Sequence, residues 1–233
     1  IEDIADGKYG GEKHNAKAGA VVVMDINSGE VLAMASYPDY NPEKFSEEYT
    51  EDNTGRYTNR AISAAYPPGS TFKMAVATAA LDTGTITTKT KINDTGVYPY
   101  SYHPVCWYYR SYRSGHGYLN VSQALKYSCN YFFYEMGYRL GIDKIAEYAS
   151  NYGLGKRTGI ELTGEASGTL ASTAYAESIN YTWYLADTLS AAIGQSFNEF
   201  TPVQMAKYIS MIANGGENVD VSLIKSTVKS DGT

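Results

Sequence analysis

The tripeptide Pro67-Pro68-Gly69 runs directly into the apolar stretch Thr71 to Leu81. Proline lacks the amide hydrogen that a helix interior needs, so a helix over that stretch can begin only after the tripeptide, near Ser70. This places Ser70 in the first turn, with Lys73 three residues on and on the same face. A serine hydroxyl is a poor nucleophile until a base takes its proton. A lysine becomes such a base when burial disfavours its ammonium form. The start of a helix also offers backbone N–H groups to a developing oxyanion. Three-residue Ser–Lys spacing is common by chance, so the pattern gains meaning only from its surroundings.

Those surroundings include Ser128-Cys129-Asn130, which begins 58 residues after Ser70 (128 − 70). It falls at a break between helical patterns, where side chains can project into a cleft. A second hydroxyl can relay a proton from the base to a leaving amine, and an Asn amide can hold a peptide carbonyl. Ser and Asn also favour helix caps, which is the plainer reading of the same residues.

Elsewhere the pattern is mixed. Ala18–Asp25 and Glu30–Tyr37 are Val-rich runs joined by Ile26-Asn27-Ser28-Gly29, which predicts a hairpin. Residues 38–58 read as loop, 93–118 as a long irregular segment rich in Tyr, Gly and Pro, and 164–187 as another long loop. Both 38–58 and 93–118 are expected to be among the more mobile or irregular parts. Helical patterns cover 121–127, 130–140 and 142–151. Thr201-Pro202, an N-cap residue followed by Pro at the first helical position, opens a further helix to about Asn214. The fold class is therefore mixed α/β (α+β), a sheet flanked by a helical lobe.

The chain's 233 residues can bury a sizeable core, as one domain or two closely packed lobes. The net charge of −6 argues against nucleic acid as a partner. The apolar run Ala18–Met24 is too short to cross a membrane, and no signal peptide precedes it. The 23 tyrosines suit a rigid, half-polar surface around a polymer-binding cleft, and equally ordinary packing. Asp94, Cys106, His116 and Cys129 form an acceptable zinc set, though not at finger or ribbon spacing. Two buried free thiols, or one disulfide, are the alternatives for Cys106 and Cys129. His14 and His103 read as surface residues.

S-x-x-K followed by an S-x-N triad is the motif pairing of penicillin-binding proteins and serine β-lactamases. The context narrows the resemblance. Tyr66-Pro67-Pro68-Gly69-Ser70-Thr71-Phe72-Lys73, with Asn59-Arg60-Ala61 upstream, closely resembles the block around the nucleophile of penicillin-binding proteins. So do Val22–Asp25 with Ser28–Ser36, His116-Gly117, and Gly159-Ile160-Glu161-Leu162 with Gly164-Glu165 and Gly168. Gly194-Gln195 before Thr201-Pro202 fits as well. Trp183-Tyr184 with Asp187-Thr188 looks most like the elongation-type class B branch, penicillin-binding protein 2-like. The resemblance spans roughly residues 18–216, with the motifs in order.

The resemblance implies the penicillin-binding transpeptidase fold, shared with serine β-lactamases, and a serine D-alanyl-D-alanine transpeptidase acting on peptidoglycan stem peptides. Ser70 would be the nucleophile acylated by donor peptide or β-lactam, Lys73 the base, Ser128 the proton relay and Asn130 a substrate-amide contact. It implies no cofactor for the chemistry, so a zinc would be structural. It further implies cell-wall synthesis complex partners and an extracytoplasmic catalytic domain on a single-pass membrane anchor. The family's third motif, K-T-G or K-S-G, is missing. Lys229-Ser230-Asp231-Gly232 has an intervening Asp and comes too early. Residues 1–233 are thus expected to be one incomplete transpeptidase domain, with anchor, pedestal and final strands elsewhere, and not competent alone. Two other readings share the first motifs. A serine β-lactamase would need a deacylating Glu, which Glu161-Leu162-Thr163 superficially resembles. A non-catalytic β-lactam-sensing domain would couple Ser70 acylation to a signalling membrane segment.

Overall fold

The computed structural model describes residues 17–45, 54–100 and 102–226. His14, residues 46–53 and Lys229–Gly232 lie outside them. The chain divides into two compact units. One comprises Ile1–Tyr66, Gly153–Gly168 and Phe200–Thr233; the other comprises Pro67–Tyr152 and Thr169–Glu199.

In the first unit, β1 (Gly19–Met24) and β2 (Val31–Tyr37) form the expected antiparallel hairpin, with Gly19 opposite Tyr37 and a register shift at Val23/Met24. Asp25 shapes its turn: Oδ1 accepts from the backbone N–H of Asn27 and Ser28, and Gly29 takes the left-handed φ of 77° that closes it. One hairpin face, including Val22, Met24 and Met34, packs on Ala61, Ile62, Ile160, Val203 and Val221. The other face leaves Val21, Val23 and Leu32 exposed. Ala61 and Ile62 come from α1 (Arg60–Ser63), capped by Asn59. Val203 comes from the long helix Pro202–Ala213, started by a reciprocal Thr201–Gln204 capping box.

The second unit is helical. A 3-10 turn, Gly69–Phe72, leads into α2 (Lys73–Asp82). This helix is Ala-rich and buried almost all round, as a helix apolar on every face must be. It packs against α5 (Asn130–Leu140) and α6 (Ile142–Asn151), whose boundaries match the sequence reading, and Val76, Phe133, Met136 and Ile145 on these three helices are buried. α4 (Val121–Lys126) precedes α5 and begins with an Asn120–Gln123 capping box.

The two long segments read as irregular carry short elements. Within 93–118, β3 (Ile92–Asp94) pairs antiparallel with β4 (Gly117–Leu119), and α3 (Trp107–Tyr112) lies between them. Within 164–187 lie α7 (Thr173–Ser178), capped by Ser172, and the start of α8 (Leu185–Ala191). Three-residue strands and two-turn helices are too short to carry a visible period. They are ordered by burial instead, with Tyr98 and Cys106 fully enclosed. The helix Pro202–Ala213 completes the order as α9.

One backbone crossing holds the start of α2. Gly69 N–H donates to the Gly194 carbonyl at 2.9 Å, and a Cβ on Gly194 would stand 2.0 Å from the Gly69 carbonyl oxygen. Gly194 also has a φ of 77°. Gly194→Ala should therefore cost about 3 kcal/mol of stability through clash and strain together. Gly84 has a similar φ of 69° but nothing within 4 Å of its would-be Cβ. Gly84→Ala should cost only about 1 kcal/mol. Chemical unfolding of both variants checks the difference; equal losses would remove the steric argument.

Candidate active site

Ser70 sits in the 3-10 turn before α2, with its backbone carbonyl accepting from Lys73 N–H. Its hydroxyl is 2.9 Å from Ser128 Oγ. Lys73, at the head of α2, is 1% exposed. Its Nζ donates to Asn130 Oδ1 at 2.6 Å, to the Ser128 carbonyl at 2.9 Å and to Ser128 Oγ at 3.0 Å. It also lies 5.6 Å from the centre of the Phe133 ring. Burial lowers the Lys73 pKa to about 8, opposed in part by the thiols of Cys129 and Cys106. The four residues singled out by sequence motif are thus one connected group, and Lys73 reaches Ser70 through the Ser128 hydroxyl.

An ammonium has three donors and no acceptor, so the three contacts of Nζ use it fully. Loss of one proton leaves a lone pair that the Ser128 hydroxyl can donate to. Ser128 Oγ is then free to accept from Ser70. The geometry can therefore move a proton from Ser70 to Lys73 across a single bridging hydroxyl.

Ser128 is placed by its backbone. It adopts a φ of 50°, a left-handed conformation uncommon for a residue other than Gly, Asn or Asp. Cys129 then acts as the N-cap of α5, with its sulfur accepting from Phe132 N–H. Trp107 completes the support and was not singled out from the sequence. Its Nε1 donates to the carbonyls of both Tyr127 and Ser128 at 3.1 Å. One tryptophan among many aromatic residues carries no local signal of that role; only the fold brings α3 beside the Ser128 turn.

Asp94, Cys106, His116 and Cys129 are brought together too, each offering a ligand atom within 4.8 Å of the others. His116 Nδ1 is 2.6 Å from Asp94 Oδ2 and 3.8 Å from Cys106 Sγ, and Cys129 Sγ is 3.3 Å from Asp94 Oδ2. Both cysteines are free and buried. Burial pushes the Asp94 carboxyl up, but hydrogen bonds from the His116 side chain and the Gly96 N–H outweigh it and leave the pKa lowered. A hydrogen bond from Cys129 lowers the Cys106 thiol to about 6, while that same bond and burial push Cys129 up. The pocket therefore collects negative charge where water is scarce, which suits a cation. With zinc–ligand bonds of about 2.0–2.3 Å, tetrahedral ligands stand about 3.3–3.8 Å apart. The Cys106–His116 and Cys129–Asp94 separations already match, and the His116–Asp94 contact would have to open by several tenths of an ångström.

The exposed His103 agrees with the surface expectation. Glu161, which superficially resembles a deacylating base, is engaged in its own unit, accepting from the Ser222 hydroxyl and the Leu223 N–H. Among the described residues no helix is long and apolar enough to cross a membrane.

The sequence matches the family described as "Penicillin binding protein transpeptidase domain" over residues 19–233. It is 37% identical over 228 residues to the peptidoglycan D,D-transpeptidase MrdA of Escherichia coli K12, covering 90% of this chain and 34% of that protein. The chain thus spans about a third of the length of that curated relative. The crystal structure of Pseudomonas aeruginosa PBP2 in complex with WCK 5153 superposes with a TM-score of 0.82 at 32% identity, covering 91% of this chain and 50% of that one. PBP2 of Helicobacter pylori, in a complex with MreC, gives 0.81 at 29% identity, with 95% and 41% covered. The mixed α/β architecture is that of these transpeptidase structures. The chain belongs to the penicillin-binding protein transpeptidase domain family and resembles its PBP2 (MrdA) type.

Proposed function

We propose that this chain carries the catalytic region of a serine-type D-alanyl-D-alanine transpeptidase that cross-links peptidoglycan stem peptides. The observation that supports it most is the unbroken chain Lys73–Ser128–Ser70 inside a family fold. Ser70 Oγ attacks the carbonyl carbon between the two terminal D-Ala residues of a donor stem. Its proton passes through the Ser128 hydroxyl to neutral Lys73 Nζ, and the same path returns it to the amine of the departing D-Ala. Asn130, with Oδ1 held by Lys73, keeps an amide N–H for a carbonyl of the donor. An amine of a neighbouring stem then displaces Ser70 from the acyl ester and leaves the cross-link. A β-lactam acylates Ser70 in the same way and stays attached. The chemistry of this family needs no cofactor.

Residues 1–233 are read as belonging to one transpeptidase domain. The working protein is read as anchored in the cell membrane with this region outside it. The H. pylori complex with MreC supports a partner from the cell-wall synthesis machinery. The fourfold cluster is read as a structural zinc site, held by Asp94, Cys106, His116 and Cys129 and supported by its donor set and spacing. Zinc there would tie β3, β4 and α3 to the turn that carries Ser128.

In the full-length protein, a fluorescent penicillin should label Ser70, and Ser70→Ala should abolish the label. Peptide mapping that finds the label on Ser128 would sink the assignment. Lys73→Ala should slow acylation at least about 10³-fold while the protein stays folded. Because Lys73 titrates near 8, its neutral, proton-accepting fraction grows as pH rises through that value. The acylation rate should climb with it and level off above, whereas a rate flat from about pH 7 to 9 would count against Lys73 as base. The same depressed value makes its protonated state a burden on the fold below about 8, relieved as pH rises towards the ordinary 10.5.

Elemental mass spectrometry on protein purified without added metal should find about one zinc per chain. A chelator, or Cys106→Ser, should lower the melting temperature. Negligible metal together with unchanged melting in Cys106→Ser would leave two ordinary buried thiols.

A further inference from the structure

A cavity of about 120 Å³ opens beside Asn130 in the helical unit, lined by Trp107, Arg110, Tyr134 and Gln195 among others. We infer that this cavity is a subsite for a side-chain carboxylate on the residue that precedes D-Ala-D-Ala in the donor peptide, with Arg110 as its cation. The inference rests on the transpeptidase reading and adds a specificity determinant to it.

The size comes first. At about 30 Å³ per water, the cavity holds about four waters, enough for a carboxylate with its last methylene but not for a dipeptide. The lining comes second. No carboxylate contributes to it, and it offers a guanidinium, a Gln amide and the hydroxyl of the buried Tyr134. Burial pushes the Tyr134 hydroxyl well up, with Arg110 and a hydrogen bond from the Asn130 amide in partial opposition, so it stays neutral and keeps its own O–H to donate. The described ion pairs of this unit lie elsewhere, at His116–Asp94, Arg139–Glu135 and Lys144–Glu147, which leaves the Arg110 charge without a carboxylate among the described residues. An ammonium here would be repelled, and an amide would forgo the charge-assisted, bidentate pairing that a guanidinium gives a carboxylate.

Position comes third. Asn130 Oδ1 is taken by Lys73 and one amide N–H faces the Tyr134 oxygen, which leaves the other for the carbonyl that joins the preceding residue to D-Ala-D-Ala. The preceding residue therefore starts next to Asn130, at the mouth of this cavity. Arg110 is held there by α3, whose first turn is closed by Arg110 N–H donating to the Cys106 carbonyl at 3.3 Å.

The test uses the full-length protein and two donor pentapeptides ending in D-Ala-D-Ala. They differ only in whether the preceding residue's side-chain carboxylate is free or amidated. Wild-type protein should form the Ser70 acyl-enzyme from the free acid with kcat/KM roughly tenfold or more above the amide, mostly through KM. Arg110→Gln should bring the two within about twofold, and Arg110→Lys should keep an intermediate preference because it retains charge without the planar fork. Wild type that takes penicillin at Ser70 but treats the two peptides alike would overturn this inference alone. Equal losses on both peptides and on penicillin in Arg110→Gln would assign Arg110 to the terminal carboxylate, and overturn it as well. Wild type that takes no penicillin at Ser70 would overturn the transpeptidase reading and this subsite with it.

Discussion

A buried ammonium gathers the site. Lys73 comes from the head of one helix, whereas Ser128 and Asn130 flank the first residue of the turn into another, and Nζ bonds to both. Without that cation, two carbonyl-type oxygens and a hydroxyl would converge half-buried with no shared donor, and an acceptor left unpaired in that way costs about 1–3 kcal/mol. With it, the same three acceptors fix the Ser128 hydroxyl at hydrogen-bond distance from Ser70. Assembly and, on the proposed mechanism, acid–base function therefore reside in one side chain. Burial deep enough to demand three partners is also burial deep enough to bring its pKa down to about 8.

Around this core the support is layered. The Gly69–Gly194 crossing fixes where α2 begins, and so where Ser70 stands. Trp107 holds the carbonyls on either side of the Ser128 amide-plane reversal, while Cys129 caps α5 and also joins the Asp94–Cys106–His116 cluster. A single residue, Cys129, is thus shared between the turn that presents Ser128 and the cluster that brings together β3, β4 and the start of α3. A disturbance of the cluster would reach Ser70 through Cys129 and the adjoining Ser128.

How much of this was legible depended on the range of the signal. The hairpin, α5 and α6 are long enough for their periodicity to show, and Thr201-Pro202 announces the start of α9 by cap chemistry. Ser70, Lys73, Ser128 and Asn130 stood out because their motifs are local and ordered. β3, β4, α3 and α7 did not, because three to six residues cannot display a period and their order comes from burial against distant segments. Trp107 was hidden for a related reason: its partners are two backbone carbonyls, which leave no mark on the sequence at all. The four potential ligands were nameable by residue type, yet their spacing of 12, 10 and 13 residues along the chain (94, 106, 116, 129) fits no compact motif, and it takes the β3–β4 pairing together with the starts of α3 and α5 to close them into one pocket.

The left-handed backbone of Ser128 has an evolutionary side. A serine pays conformational strain there that a glycine would not, of the order of 1 kcal/mol. Replacement by glycine would relax the turn and at the same stroke remove the hydroxyl between Lys73 and Ser70. Fitness for folding and fitness for reaction therefore pull in opposite directions at this one position. On the proposed transpeptidase reading, a lineage released from the need to cross-link cell wall would drift towards glycine here, and a screen that rewards heat resistance alone would enrich variants that have lost the Ser128 hydroxyl.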